Sequence, residues 1–405
     1  MNSATTLHSS AEDNSIIEKM IWIFLMIFFL ASSFSIAISE IGYYTALGLW
    51  MIQMAMRKKF AFPSLPITGV LLAYVCIEMV TTIFSTNIMQ SLLYMERRLL
   101  LLPLMYLLVQ KTPTRKAFGI FYAALIISSI GVSVWSMKDI IIHLSEYLHF
   151  QRRLAEFQMY MTTGGLLMII MLMLLPVLVH RRTPRKYRLW AVAAFVPLFI
   201  SLFFTFTRSS WLGFVGGAIL IGVIRSKKIV VVLSGVLVII VMVASPQIRD
   251  RIFSIVDPYH PNNISRVHMW ETGIRMARDY PVLGIGDVGT EVLWPKYAEP
   301  DWPPEGHLHN NEVMWLVTLG SVGLIILLTL FVRIWIVIQR IARRLSDDWL
   351  FGSFALGALA VQVGFHINGL FEWNFGDAEV ITLVWAITGL AMAASRIAEQ
   401  EQLSV

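Results

Sequence analysis

Charge and thiol are scarce in this chain of 405 residues: 14% are Asp, Glu, Lys or Arg, and Cys76 is the single cysteine. A lone cysteine inside an apolar run excludes an intrachain disulfide and dithiol redox chemistry. Charge this sparse also argues against a nucleic-acid surface, so the net +6 has to be explained by where the basic residues sit. A cleavable leader is missing from the pattern as well. The first apolar block, from Lys19, follows Glu12 and Asp13 and has no small-residue cleavage site, so it reads as a retained helix. No internal repeat is evident.

What is abundant is apolar length. Hydrophobic residues make up 57% of the chain, the mean hydropathy is +0.69, and the apolar residues gather in blocks close to the ~20 residues that cross a bilayer as helix. Blocks bounded by charge, proline or glycine fall at about 19–39, 40–56, 66–85, 91–110, 116–136, 159–179, 189–206, 208–224, 229–245, 309–339, 350–371 and 378–396. The expected fold is an all-α polytopic membrane protein with about twelve transmembrane helices. Basic clusters recur at every second loop: Arg57-Lys58-Lys59, Lys111 with Arg115 and Lys116, the run from His180 to Arg188, Arg225 with Lys227 and Lys228, and Arg340 with Arg343 and Arg344. Short basic loops stay cytoplasmic, so both termini are expected inside and the alternate loops outside. The chain then divides into a tail at 1–18, spans one to nine over 19–245, a large outer loop at 246–308, spans ten to twelve over 309–396 and a second tail at 397–405.

Two outer segments, about 137–158 and 246–308, are long enough to hold structure of their own. In the second, NNISRVHMWETGIRMARD places Ile264, Val267, Trp270, Ile274 and Ala277 three or four apart, which predicts an amphipathic helix at the outer membrane face, capped by Asn262 or Asn263. Gly284, Gly286 and Gly289 match G-x-G-x-x-G, but no strand precedes them and the segment reads as a turn.

The informative polar residues are those at the outer ends of the spans, because a charge at the hydrocarbon centre costs roughly 2.5–3.5 kcal/mol on insertion scales and usually has a partner. Arg208 opens a helix on the outer side, where free N–H groups, the helix dipole and a guanidinium fork favour an oxyanion; the alternative is a snorkelling anchor. Arg266, on the amphipathic helix, faces either the same region or lipid headgroups. Arg97 and Arg98 stand beside Glu96 about two turns into an outer helix end, as ligand contacts or as a structural Glu–Arg pair.

In HLHNNEVMWLVTLGSVGL, Glu312 lies three residues beyond His309 on roughly the same helical face. Gly320 follows about three turns on, with Gly323 beyond, where small residues let another helix approach. A neutral imidazole at a helix N-terminus suits a general base. Asn310 or Asn311 alternatively caps the helix, and Glu312 either orients the base or pairs with an arginine. His307 and His309 offer two metal ligands, but no neighbouring cluster of carboxylates or thiolates completes a shell, so no metal is expected. The last outer turn, HINGLFEWNFGDAE, sets Glu372, Asp377 and Glu379 beside Trp373 and Phe375, a mixture that either binds sugars or pairs with the outer arginines.

In this order, TFTRSSWLG, SRVHMWETGIRMARDYPVLGIG and HNNEVMWLVTLGSVG resemble motifs of the O-antigen ligase and polymerase family of bacterial inner-membrane glycan transferases. The likeness rests on Arg208 and Leu212, on Arg266, Trp270, Pro281, Gly284 and Gly286, and on His309, Asn310, Gly320 and Gly323, and it covers about residues 200–325. It implies a GT-C type fold with a large periplasmic loop in a Gram-negative inner membrane. It also implies transfer of a glycan from undecaprenyl pyrophosphate to a sugar hydroxyl of lipid A-core, with inversion and without metal or other cofactor. By that resemblance Arg208 and Arg266 hold the pyrophosphate and His309 acts on the acceptor hydroxyl. Their places at the span ends make Arg97, Arg98, Asn310, Glu312, Glu372 and Asp377 further candidate donor or acceptor contacts. A polymerase using the same donor is the nearest alternative. A lipid-linked glycan transporter, the reading from another class, calls for polar residues through the midplane, whereas here they cluster at one face.

Overall fold

The computed structural model describes residues 2–403, with side-chain surroundings from residue 16 onward. In chain order its helices are α1 Asn2–Ala31, α2 Ile36–Met56, α3 Thr68–Ile83, α4 Ile88–Leu99, α5 Pro103–Lys111, α6 Arg115–Ile142, α7 Leu144–Leu148, α8 Tyr160–Val179, α9 Arg185–Phe204, α10 Arg208–Arg225, α11 Lys228–Val243, α12 Pro246–Phe253, α13 Pro261–Asp279, α14 Trp294–Tyr297, α15 Asn311–Arg344, α16 Phe351–Gly369 and α17 Ala378–Leu403. Among the described residues there is no strand. Among the described residues six helices, α6, α8, α9, α15, α16 and α17, are long and apolar enough to cross a membrane, and α3 and α11 are apolar but shorter. The chain is a polytopic membrane protein.

The centre of the bundle is α8, α16 and α17, whose most apolar stretches are 83% buried within the protein. Small residues bring α10 against this centre: the Cα of Gly213 lies so close to α16 that a methyl group there would be 2.6 Å from the carbonyl oxygen of Gly364. The expected fourth span, 91–110, is not one helix. α4 stops at Leu99 and α5 starts at Pro103, whose ring and missing N–H favour the first turn of a helix over its interior. Pieces of 12 and 9 residues reach only ~18 and ~14 Å against ~30 Å of hydrocarbon. The outer segment expected from 137 begins later, because α6 stays helical to Ile142 and only α7 follows it.

The bundle has two distinct ends. At one, Thr207 Oγ1 at the start of α10 donates to the carbonyl of Tyr160 at the start of α8 (3.0 Å), and Thr162 Oγ1 donates to Asp377 before α17 (2.5 Å). At the other, Lys111 meets Glu18 (2.5 Å), Arg115 meets Asp348, His180 Nε2 meets the carbonyl of Ser346 (3.0 Å) and Arg344 meets Glu399 (2.6 Å). Basic clusters spaced along the sequence therefore gather at one end of the fold.

In the large loop, α13 forms over the expected residues but differs in cap and face. Pro261 occupies its first turn, the cap is His260, whose Nδ1 accepts from the amide of Asn262 (3.3 Å), and Asn263 is free for another task. Its buried face is Met269, Thr272, Gly273, Met276 and Ala277, packed on α15, while Val267 and Ile274 are exposed. The rotation follows from Gly273, where a methyl group would lie 2.4 Å from Leu308; only this face lets the helix approach so closely.

The loop after α13 is joined to α15 by backbone bonds. Gly320 was expected on a continuous helical face that receives another helix; instead α15 breaks there, with φ 67° and ψ −173°. In an unbroken helix the amides of Ser321 and Val322 would bond the carbonyls of Val317 and Thr318. Here Ser321 and Val322 donate to the carbonyls of Pro281 and Val282 (2.9 and 3.4 Å), and the Val317 and Thr318 carbonyls accept from Ile285 and Gly286 (2.9 and 3.0 Å). Residues 281–286 thus satisfy the groups that the break sets free, which apolar surroundings would otherwise penalise. The turn expected at Gly284 and Gly286 is present, with φ of +69° and +88°. The Ile285 carbonyl then accepts from the amide and hydroxyl of Thr86 (2.9 and 3.0 Å), clamping the loop between α3–α4 and α15.

A side chain at Gly320 meets both a glycine-only backbone region and the Val282 carbonyl oxygen at 2.2 Å. Gly320→Ala is expected to cost about 2–4 kcal/mol and lower the unfolding midpoint in detergent by about 5 °C or more. Gly131→Ala on α6, where nothing lies within 4 Å, should cause no loss. Equal midpoints for the two variants would remove the loop-insertion account.

Candidate active site

Arg208 is the first residue of α10 and is 6% exposed, so it is not a snorkelling anchor. The guanidinium donates to the carbonyl and hydroxyl of Ser254 (2.5 and 3.0 Å) and to Asn263 Oδ1 (2.8 Å). All three acceptors are neutral, so they orient the fork and leave its charge unbalanced. Arg251 on α12 lies close by and donates from Nη2 and Nε to the carbonyl of Phe206 (2.9 and 3.3 Å). Arg153 and Arg251 both lie over the Phe150 ring, at 4.9 and 5.1 Å, and Arg153 also lies over Tyr160 at 4.6 Å. Burial, followed by the charges of Arg208, Arg153 and Arg266, pushes Arg251 down to about 9. Burial likewise lowers Arg266. Cations that depress one another in a partly buried place favour an anion between them.

Among the described residues, the acid ion-paired with this cluster is Glu372, in the turn between α16 and α17. Its Oε2 is 3.9 Å from Arg266 Nη2, and its Oε1 accepts from His309 Nδ1 at 2.8 Å. Burial pushes the Glu372 carboxyl up, but the His309 hydrogen bond and the charges of His309 and Arg266 outweigh it, holding the group below the usual carboxylate range. The Nδ1 contact with the carboxylate orients the ring and leaves Nε2 as its other nitrogen for a ligand. His309 itself has φ 45°. Of the four non-glycine residues with positive φ among the described residues, Phe150, Phe206 and His309 belong to this site, so backbone strain is concentrated where the polar groups converge.

The first turn of α15 explains why Glu372 stands where it does. Asn310 caps the helix, its Oδ1 accepting from Val313 (2.9 Å), while its Nδ2 donates to the carbonyl of Leu370 (3.0 Å). Asn311 Nδ2 donates to Asn374 Oδ1 (2.5 Å) and its Oδ1 accepts from the amide of Phe375 (3.1 Å). The two asparagines lace the α16–α17 turn to the helix that follows His309. From the other side, Trp270 Nε1 of α13 donates to the carbonyl of Leu308 (3.1 Å).

Residues 192–328 match the family model described as O-antigen ligase. No curated protein matches the chain. The O-antigen ligase match runs from α9 past the break in α15, so it contains Arg208, Arg251, Arg266, His309 and Gly320, while Glu372 and Arg98 lie outside it.

The other residues expected as contacts take different places. Arg98 is half-buried, paired with Asp287 (2.8 Å) and Glu78 (3.9 Å), and stacked on Trp373 and Phe375 at 5.1 and 5.7 Å. It ties α4 and the inserted loop to the two aromatics flanking Asn374, and so steadies the turn that bears Glu372. Arg97 is exposed on α4. Glu312 lies 3.8 Å from His366, and the carboxylate bonded to His309 is Glu372. Asp377 accepts from Thr162 and from the amide of Val380 (3.3 Å), capping α17.

His307 has its ring 4.3 Å from that of His309 and its Nδ1 unpaired, and burial, then the His309 charge, lowers its affinity for a proton. With Glu372 these histidines bring one ligand atom each to within 4.8 Å of one another. The carboxylate that the sequence neighbourhood lacked is thus supplied from 63 residues away. Two imidazoles and a carboxylate are a donor set that a divalent ion accepts. Sequence reasoning missed Arg251 and Arg153, whose only signal was a loose recurrence of arginine in outer segments.

Because Glu372 is held below its ordinary value, its ionised form stabilises the fold fully above about pH 4.3, and that contribution fades as pH falls through the lower folded value. The difference in unfolding midpoint between the wild type and Glu372→Gln is therefore expected to stay level from pH 5 to 8 and shrink below about pH 4. A difference that grows on acidification would contradict this arrangement.

Proposed function

We propose that the protein is an O-antigen ligase that moves a glycan from undecaprenyl pyrophosphate to a sugar hydroxyl of lipid A-core, on the periplasmic face of a Gram-negative inner membrane. The observation that carries this reading is the juxtaposition of an arginine cluster short of acids with a His309–Glu372 dyad, both inside or beside the matched O-antigen ligase region. Arg208 and Arg266, with Arg251 beside them, hold the pyrophosphate. Their charges stabilise the negative charge that develops as the bond from the anomeric carbon to the pyrophosphate oxygen breaks. Nε2 of His309 takes the proton of the acceptor hydroxyl as its oxygen bonds to that carbon. Glu372 offsets the imidazolium that forms, as a buried carboxylate does for a catalytic histidine. Attack opposite the leaving pyrophosphate inverts the anomeric configuration, and no metal ion enters the step. Buried arginines offer the leaving group what a divalent ion otherwise provides.

Transfer by the purified protein, with a lipid-linked donor and either lipid A-core or a second lipid-linked glycan as acceptor, is the direct test. Product on lipid A-core is expected, undiminished by a chelator; a lengthened lipid-linked chain instead means a polymerase. His309→Ala should fold and lose about a hundred- to ten-thousand-fold in rate. Wild-type-like transfer by that variant, or loss of transfer with chelator, would overturn the base assignment or the metal-free step respectively. Arg208→Lys keeps a charge but loses the fork, and donor binding is expected to weaken on the order of tenfold or more. Unchanged donor binding would return Arg208 to a structural role.

A further inference from the structure

At the end of the bundle opposite Arg208 and His309, a cavity of about 450 Å³ opens between α8, α10, α15 and α16. That volume falls in the range of about 300–1,000 Å³ typical of small-ligand sites. Leu220, Ile224, Leu356 and Leu359 form apolar walls, and Arg225 and Arg343, from the last turns of α10 and α15, are its cations. Among the described residues neither guanidinium has an ion-pair partner. A second basic cavity at this end, lined by Arg340, Arg344 and Arg396, contains its own acid, Glu399, which Arg344 bonds at 2.6 Å. The first cavity has none.

Two polar groups refine the picture. His180 Nε2 is 3.0 Å from the carbonyl of Ser346 and its Nδ1 accepts from the amide of Arg182 at 3.1 Å, which fixes a neutral tautomer, so the two arginines carry the charge. Ser353, 1% exposed and lining the cavity, has a buried hydroxyl with no partner. An unpaired buried hydroxyl is costly, and an acceptor oxygen of a ligand would relieve it. Arg208 and Arg225 are at opposite ends of the 18 residues of α10, about 27 Å apart along its axis. An anion here is therefore not one bound at the candidate active site.

We propose that this cavity holds an anionic phospholipid from the leaflet facing the basic end. An acyl chain lies along the leucine-lined wall, the phosphodiester sits at Arg225 and Arg343, and a headgroup or ester oxygen accepts from Ser353. Apolar walls under a cationic rim between helices suit a lipid better than a soluble phosphate, whose ionic end alone would be matched. α16 packs against both α10 and α15, the helices that begin beside Arg208 and His309, and a lipid at their far ends joins them a second time.

Purified full-length protein in nanodiscs of phosphatidylcholine, with phosphatidylglycerol titrated in, tests this by lipid retention after detergent extraction and by the unfolding midpoint. Phosphatidylglycerol is expected to be retained in preference to phosphatidylcholine and to raise the midpoint, and inorganic phosphate at millimolar concentration is expected to do neither. Arg225→Gln and Arg343→Gln should each weaken retention about fivefold, whereas Arg340→Gln should not. Ala342→Phe, which fills the cavity and keeps both arginines, should abolish retention in protein that remains folded. Equal retention of both lipids, retention unaffected by the two arginine variants or by Ala342→Phe, or stabilisation by phosphate alone would each overturn the proposal.

Discussion

At Gly320, carbonyls and amides of a long apolar helix leave their own ladder and bond to residues 281–286. In surroundings without water such groups must be paired, so the break and the inserted loop require one another. Much of the half of the molecule around Arg208 and His309 hangs on this exchange. The loop carries Asp287 to Arg98, Arg98 stacks on Trp373 and Phe375, and between α15 and those aromatics Asn311 and Asn374 fix the turn that presents Glu372 to His309. A position inside a helix and a carboxylate in a distant turn are thus linked by a continuous series of bonds.

Electrostatics divides the fold into two ends of different character. Basic loops at one end largely meet carboxylates or carbonyls, as at Lys111–Glu18, Arg115–Asp348 and Arg344–Glu399. At the other end Arg208 and Arg251 are held by neutral oxygens, and Glu372 alone faces both Arg266 and His309. Neutral acceptors orient a guanidinium without cancelling its charge, which leaves the cluster able to take an anion with more than one negative charge. The strained backbones of Phe206 and His309 are maintained by these same contacts.

Apolar block length and the alternation of basic loops by themselves determined an all-helical polytopic chain, because the ~30 Å of hydrocarbon sets a length that local composition must satisfy. Arg208, Arg266 and His309 were legible for a similar reason: each lies in a short segment whose residue types state a chemistry without reference to distant partners. Pro103 marked the break between α4 and α5 in the sequence, but an apolar run on both sides hid it. Only the tertiary structure decided that α13 turns its Gly273 face inward, that Gly320 interrupts α15, that Arg98 is a strut, and that Glu372 rather than Glu312 bonds His309. Those outcomes depend on which backbone and side-chain groups, far apart in the chain, meet once water is excluded, and periodicity along a single segment contains no information about that meeting.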